Sequence, residues 1–320
     1  MILNRIIIKN FKSLVDISIN NPNPFSVFFG TNAAGKSNIF EALELISFCI
    51  RRPNDALKFF GEIKDVFTFQ KWNENVKMKF QIDSVIQNAL NVQIEKENQQ
   101  IPQTKVSDIE IKKLLGENFS RIFLNNPNIN KEIFKDDKKL LPDGSNTNRV
   151  LGRLLKDLAQ RDDIVEWLQF VIPELQDIEV KQNELTGEDY LTIFEENSST
   201  PFTGNLISDG TRNSVSLITA LYQSDEPQFL LIEEPENGLN PKVIKEFVQI
   251  CREFVKEKGH TIWLATHSQT LISEIGPEEA ILVFKENGVT RLKQFQDLKF
   301  YNLKMDDAWL SNVLGGGIPW

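Results

Sequence analysis

Cysteine is scarce: Cys49 and Cys251 are the only two among 320 residues. Two thiols cannot build a disulfide framework, and they point to a reducing compartment. An excess of basic charge is missing too. With 36 Lys and Arg against 45 Asp and Glu, the formal net charge is −9, which argues against coating nucleic acid through overall charge. No apolar run approaches the roughly 20 residues of a membrane span. The opening MILNRIIIKN lacks the charged-then-apolar layout of a secretion signal. Internal repeats, low-complexity tracts, Cys-x-x-Cys pairs and His-x-x-x-His clusters are all missing. These absences leave a soluble, acidic, cytoplasmic globular chain with no membrane attachment, organised as one large domain or two small ones.

Apolar patterning supplies the organisation. Residues 2–9, 14–19 and 25–29 read as strands, with Pro22 and Pro24 marking a turn before the third. A helix fits 36–50, and Pro53 ends it. Residues 76–82 and 90–94 resemble a strand pair. From about 101 to 168 charged residues and helical periodicity dominate, which predicts a helical insertion or a solvated helical arm. That stretch is nearly charge-balanced, so the acidic excess belongs to the rest of the chain. Strands follow at 178–181, 190–194, 229–232, 261–265, 280–284 and 289–292, with helices at 211–222 and 241–256. The alternation predicts an α/β fold, a mixed sheet with a parallel core flanked by helices.

One motif is complete. Gly30-Thr31-Asn32-Ala33-Ala34-Gly35-Lys36-Ser37 matches G-x-x-x-x-G-K-[ST], after an apolar strand and running into an amphipathic helix whose first turn carries Asn38. The glycines permit the tight turn that aims backbone N–H groups at phosphate oxygens, and the helix N-terminus adds its positive dipole end. Lys36 can reach the β- and γ-phosphates of ATP, and Ser37 can give its hydroxyl to Mg2+.

Phosphate chemistry also needs carboxylates. Phe229-Leu230-Leu231-Ile232 ends in Glu233-Glu234, and strand ends of parallel sheets are where ligands sit. Glu233 stands where Mg2+ is held, directly or through water, and Glu234 where the attacking water is oriented and deprotonated. Pro235 to Pro241 forms a rigid loop into the next helix. His267 follows the strand at 261–265, within reach of a γ-phosphate, whereas His260 reads as ordinary loop.

The phosphate loop, Ser208-Asp209-Gly210-Thr211, the double-acid strand with its Pro-Glu-Asn-Gly-Leu loop, and Thr266-His267-Ser268 follow one another in that order. Together they resemble the ABC-type ATPase heads of the SMC/RecF/OLD-like group, as does Asn10-Phe11-Lys12-Ser13-Leu14 near the start. The resemblance covers roughly 1–95 and 170–295. It implies a P-loop NTPase in four parts. These are a phosphate-loop half (1–95), a helical insertion (96–168), a second half with signature, double acid and histidine switch (169–296), and a tail (297–320). It also implies a Mg2+-dependent, ATP-driven homodimer packed head to tail. Ser208, Asp209, Gly210 and Thr211 then contact the γ-phosphate bound by the other subunit. Glu234 and His267 are the catalytic pair, and Gln70 is the metal- and nucleotide-sensing glutamine, with Gln81, Gln87 and Gln93 nearby. Lys12 and Ser13 line the base pocket or are exposed strand residues.

Departures from the group narrow the function. The insertion has no sustained heptads, so a long SMC-type coiled coil does not fit. The tail is too short for the nuclease domain of OLD-type proteins. It is either frayed or a docking segment built on Trp309, Leu310, Val313, Leu314 and Trp320. The expected function is an ATPase that regulates a separate effector such as a nuclease, or clamps DNA, in phage defence or DNA repair. The alternatives are a nucleotide-gated scaffold with little turnover and a transporter ATPase subunit, although Ser-Asp-Gly-Thr departs from the transporter signature. Lys112-Lys113 with Arg121, and Lys138-Lys139 with Arg149 and Arg153, read as solvated helix faces or as local patches that could meet DNA.

Overall fold

The computed structural model describes residues 3–60, 66–68, 77–84, 86–95, 102–124, 137–296 and 303–315. In chain order, β1 (Arg5–Phe11) and β2 (Leu14–Asn20) form a hairpin, followed by β3 (Phe25–Phe29) and helix α1 (Lys36–Arg51). Strands β4 (Lys77–Asp83), β5 (Leu90–Glu95) and β6 (Gln103–Val106) come next, then a short helix α2 (Ile109–Lys112) and β7 (Phe119–Ile122). Helices α3 (Thr147–Leu154) and α4 (Leu158–Leu168) precede β8 (Leu175–Gln182), β9 (Asp189–Glu195) and β10 (Phe202–Thr203). Then come α5 (Asp209–Tyr222), β11 (Phe229–Glu233), α6 (Pro241–Lys258) and β12 (Thr261–Thr266). The last described elements are α7 (Gln269–Ile272), β13 (Ala280–Glu286), β14 (Val289–Gln294) and α8 (Met305–Leu310).

Six strands make the central sheet, in the order β14-β13-β3-β12-β11-β7. The five from β13 to β7 run parallel, and β14 closes one edge antiparallel. Strands β3, β11 and β12 are buried along their whole length, as strands covered on both faces must be. Their two-residue period sorts the side chains into two cores. Val27, Phe29, Leu230, Ile232, Ile262 and Leu264 join the core that includes α5 and α6. Phe28, Phe229, Leu231 and Trp263 join the other, with α1 and strands β1, β4 and β5. These last strands belong to a five-stranded antiparallel sheet, β2-β1-β4-β5-β6. Helix α1 is apolar around most of its girth because it packs between sheets rather than on one. Each large apolar side chain fully buried this way stabilises the fold by roughly 1.5–3 kcal/mol.

Punctuation residues act where the sequence places them. Asn240 caps α6 by accepting from Val243 N at 3.0 Å, Pro241 occupies its first turn and Gly259 ends it in the left-handed region. Asn287 and Gly288, both at positive φ, make the β13–β14 turn.

Three expectations change. The interval 96–168 holds helices α3 and α4, but it also contributes β6 and, more consequentially, β7, which pairs with β11 inside the central sheet. Phe119-Ser120-Arg121-Ile122 is too short and too polar to read as a buried strand; only its partner makes it one. The tail is neither frayed through 303–315 nor free to dock by Trp309 and Leu314. Both are buried in the core of this chain, Trp309 edge-on to Phe29 at 5.7 Å, while Val313 is exposed and Trp320 lies outside the described residues. His260 is no ordinary loop residue, being 1% exposed beneath α6, tilted against Phe254.

Candidate functional site

The phosphate loop connects β3 to α1 at the carboxyl end of the parallel strands, and its conformation is held from behind. Gly35 has φ 109°, and a Cβ there would lie 2.2 Å from Thr290 Oγ1, so only glycine fits. Thr290, on β14, donates to the Ala34 carbonyl at 2.9 Å and lies 2.7 Å from Ser13 Oγ. Asn38 Nδ2 donates to that same Ser13 oxygen at 2.7 Å. The loop is thereby tied to the edge strand and to the β1–β2 turn. Asn32 and Ala33 remain exposed, and no side chain caps the first turn of α1, so its backbone donors are available to an anion. Lys36 Nζ bonds the carbonyls of Gly30 at 2.8 Å and Thr31 at 3.1 Å. Burial lowers its pKa, against the opposing pull of Glu234, Glu236 and Glu233. Lys12 and Ser13 are turn residues; Lys12 ion-pairs with Glu41 on α1, and neither is an exposed strand residue.

Beside the loop, Ser37 Oγ donates to Glu233 Oε2 at 2.5 Å, joining two residues 196 positions apart. The other oxygen, Oε1, accepts from Arg121 Nε at 2.7 Å and lies in ion-pair contact with Nη2 at 2.5 Å. Arg121 also reaches Glu44 at 2.6 Å through Nη1, and Nη2 lies 3.8 Å from Glu41. Burial works against its charge, but Glu233, Glu44 and Glu41 together outweigh that and raise the guanidinium pKa. Burial pushes the Glu44 carboxyl up, opposed by the same arginine. Removing one partner of such a buried pair typically costs about 3–5 kcal/mol. Sequence reasoning missed Arg121, Glu41 and Glu44 and set Arg121 on a cationic surface patch. The structure corrects that: Arg121 is buried, because β7 is interior. Of the other residues in the two proposed DNA patches, Lys113 pairs with Glu226, Arg149 with Asp189, and Arg153 and Lys139 bond the backbone of Gln223 and Phe119.

The next residue is held differently. Glu234 adopts φ 47°, a left-handed conformation costly for a side-chain-bearing residue and frequent at functional sites. Its N–H bonds Ala265 O at 2.8 Å, and Oε2 accepts from Asn237 Nδ2 at 3.0 Å. His267 Nδ1 lies 3.6 Å from Glu234 and 3.7 Å from Glu236. Glu236 is braced by the Thr266 hydroxyl at 2.6 Å and the His267 N–H at 3.3 Å, while its Oε2 is buried with no hydrogen-bond partner among the described residues. A carboxylate beside an imidazole, half-exposed above the phosphate loop, can accept a proton from water.

Ser208 caps α5 by accepting from Thr211 N at 3.1 Å and remains exposed, as does Asp209. Gly210 permits close packing: a Cβ there would meet Gly238 O at 2.2 Å. Asn213 Nδ2 adds a 2.9 Å bond to Asn237 O. Helix α5 is therefore fastened to the loop that follows Glu233-Glu234. Gln70 lies outside the described residues. Ser37 and Glu233 are hard oxygen donors of the kind Mg2+ takes in ones and twos, completing its shell with phosphate and water, so they fit that ion. Among the described residues no cluster of three or more His, Cys, Asp or Glu could hold a metal, and no helix is long and apolar enough to cross a membrane.

The chain resembles known proteins in both sequence and fold. Residues 25–273 match the family described as "AAA domain, putative AbiEii toxin, Type IV TA system". The chain is similar to an ATP/GTP phosphatase of Helicobacter pylori, 22% identical across 95% of this chain and 92% of that protein. It is also similar to the DNA replication and repair protein RecF of Bacteroides fragilis, 43% identical across 23% of this chain and 20% of that protein. Its matches to three transport ATP-binding proteins span only 37%, 24% and 30% of their lengths. In fold it resembles an SMC head solved with the C-winged helix domain of ScpA, with TM-score 0.60 and 13% identity over 91% of this chain and 96% of that one.

Proposed function

The chain belongs to the AAA-domain family described as a "putative AbiEii toxin, Type IV TA system" and has an ABC-type ATPase head of SMC/RecF-like form, and on that premise we propose that it binds and hydrolyses ATP with Mg2+. The observation that carries the reading is convergence at one end of the sheet. The phosphate loop, the Ser37–Glu233 pair and the Glu234–His267 pair lie together there, although they come from distant parts of the chain.

Lys36 leaves the loop carbonyls to contact the β- and γ-phosphates, and the first-turn N–H groups of α1 cradle the rest. Ser37 and Glu233 would hold Mg2+, which when bound would supply charge neutralisation. Glu234 orients the attacking water and takes its proton, and His267 holds that carboxylate while facing the γ-phosphate. Two copies close head to tail. Ser208, Asp209, Gly210 and Thr211 of each then complete the site of the other, and the Gly210–Gly238 contact passes closure to the loop behind Glu234. The closed dimer regulates a separate effector, a nuclease by resemblance, or clamps DNA, in phage defence or DNA repair in the cytoplasm. In this reading 1–95 and 169–296 supply the two halves of the head, while 96–168 adds β7 to its sheet and 297–320 packs Trp309 and Leu314 into its core.

Glu234→Gln tests this. Loss of a positioned base lowers turnover by about 10²–10⁴-fold, and the variant should accumulate as a dimer with ATP and Mg2+ in size-exclusion chromatography with light scattering. A variant that stays monomeric with ATP bound would overturn the dimer switch. One that retains turnover would overturn the assignment of the base.

A further inference from the structure

Arg121 stands on β7, next to β11, with its side chain only 6% exposed. Both Nε and Nη2 point at one oxygen of Glu233, Oε1, at 2.7 and 2.5 Å. The second oxygen, Oε2, meets Ser37. The guanidinium is itself anchored from α1 by Glu44 at 2.6 Å. Glu41, which approaches it at 3.8 Å, is shared with Lys12. Packing does not require this arrangement, since an apolar side chain would fill a buried strand position and buried ion pairs are seldom a net gain in stability. A fork that claims one carboxylate oxygen and leaves the other to Ser37 has a different use.

We propose that Arg121 is a positioning residue for the metal-binding carboxylate: it holds Oε1 of Glu233 and thereby presents Oε2 alone, aimed at Ser37, to Mg2+. The inference rests on reading Ser37 and Glu233 as the metal pair. Ligating carboxylates depend on such outer partners, whose loss typically weakens metal binding about 10–100-fold. Lysine cannot replace the fork, because an ammonium is a single point of charge and cannot hold Glu233 and Glu44 in fixed directions.

The test compares binding of a fluorescent ATP analogue in Mg2+ and in EDTA, using the full chain and Arg121→Lys. The wild type should bind more tightly with Mg2+. Arg121→Lys should keep its affinity in EDTA and lose about tenfold or more of the Mg2+-dependent gain. A half-saturating Mg2+ concentration for turnover that rises in step supports the same conclusion. A merely structural arginine would lower both affinities together or neither, and either result overturns the proposal. Glu44→Gln loosens the guanidinium without stranding it. It should shift the Mg2+-dependent gain in the same direction by a smaller factor, so it decides the question if Arg121→Lys does not fold. An unchanged gain in that variant then overturns the proposal. A wild type that binds nucleotide equally with and without Mg2+ overturns the metal-pair reading and this proposal with it, and is told apart because the failure precedes any substitution.

Discussion

At the carboxyl ends of β3, β11 and β12 stand Lys36, Ser37, Glu233, Glu234, Glu236 and His267, whereas Gln228 and His260 lie buried at the amino ends of β11 and β12. The polar groups at the amino ends are spent or silenced. Gln228 donates to the carbonyls of Ala220 and Leu221 at 3.1 Å and accepts from Gln223 at 2.9 Å. Among the described residues, neither ring nitrogen of His260 has a well-formed hydrogen bond, and burial pushes its pKa down to about 4, only partly offset by the Leu221 carbonyl. The carboxyl ends keep capacity in reserve. Glu236 holds a buried oxygen with no partner among the described residues, Glu234 an unfavourable φ, and Lys36 bonds that phosphate oxygens can replace. One end of the same sheet is arranged for stability, and the other carries the polar groups of the proposed site. Two histidines seven residues apart, on either side of one strand, have opposite surroundings for that reason.

Substitutions can break this division or sharpen it. The largest effect is expected at the carboxyl end. Lys36→Ala removes the charged donor proposed to meet the phosphates and should lower ATP affinity by more than about 100-fold in a calorimetric titration, while the melting temperature changes little. Retained affinity would mean that the site lies elsewhere.

The amino end should respond in stability alone. The folded-state pKa of His260 lies below its unfolded value of 6.5, so the unfolded chain binds more protons between those values. Its contribution is complete above about pH 6.5 and is lost as pH falls toward 4, on the order of 3 kcal/mol in all. His260→Leu should flatten the pH dependence of urea unfolding in that window and leave ATP affinity at pH 7.5 untouched. An unchanged slope would show that the imidazole is not buried neutral.

Ser208→Ala should have the smallest effect on the isolated chain, about 1 kcal/mol for a lost helix cap. If the serine also serves the other subunit, the ATP-dependent dimer weakens far more than the melting temperature suggests. Equal modest losses in both would reduce Ser208 to a cap.

Much of the site was legible because its parts are contiguous. The phosphate loop is a run of eight residues, and Glu233-Glu234 closes an uninterrupted apolar strand, so motif and element could be read together. Arg121, Glu41, Glu44 and Thr290 were not legible, because their roles exist only across long separations. Arg121 meets Glu233 over 112 positions and Thr290 meets Ala34 over 256. No local pattern marks such a pairing, and a short run with an arginine in it reads as surface until a parallel neighbour buries it. The tail followed the same rule: Trp309 read as a docking residue because its partner, Phe29, belongs to the third strand.

Local chemistry, written in the order of residues, therefore determined the α/β alternation, the phosphate loop, the paired acids and the caps, since backbone conformation and short motifs depend on near neighbours. Which oxygen of Glu233 faces Ser37, which histidine is silenced and which cation becomes interior were decided only when the sheet brought β7, β11 and α1 together. Burial and ion pairing are properties of that assembled space, where desolvation makes each charge depend on the partners the fold supplies.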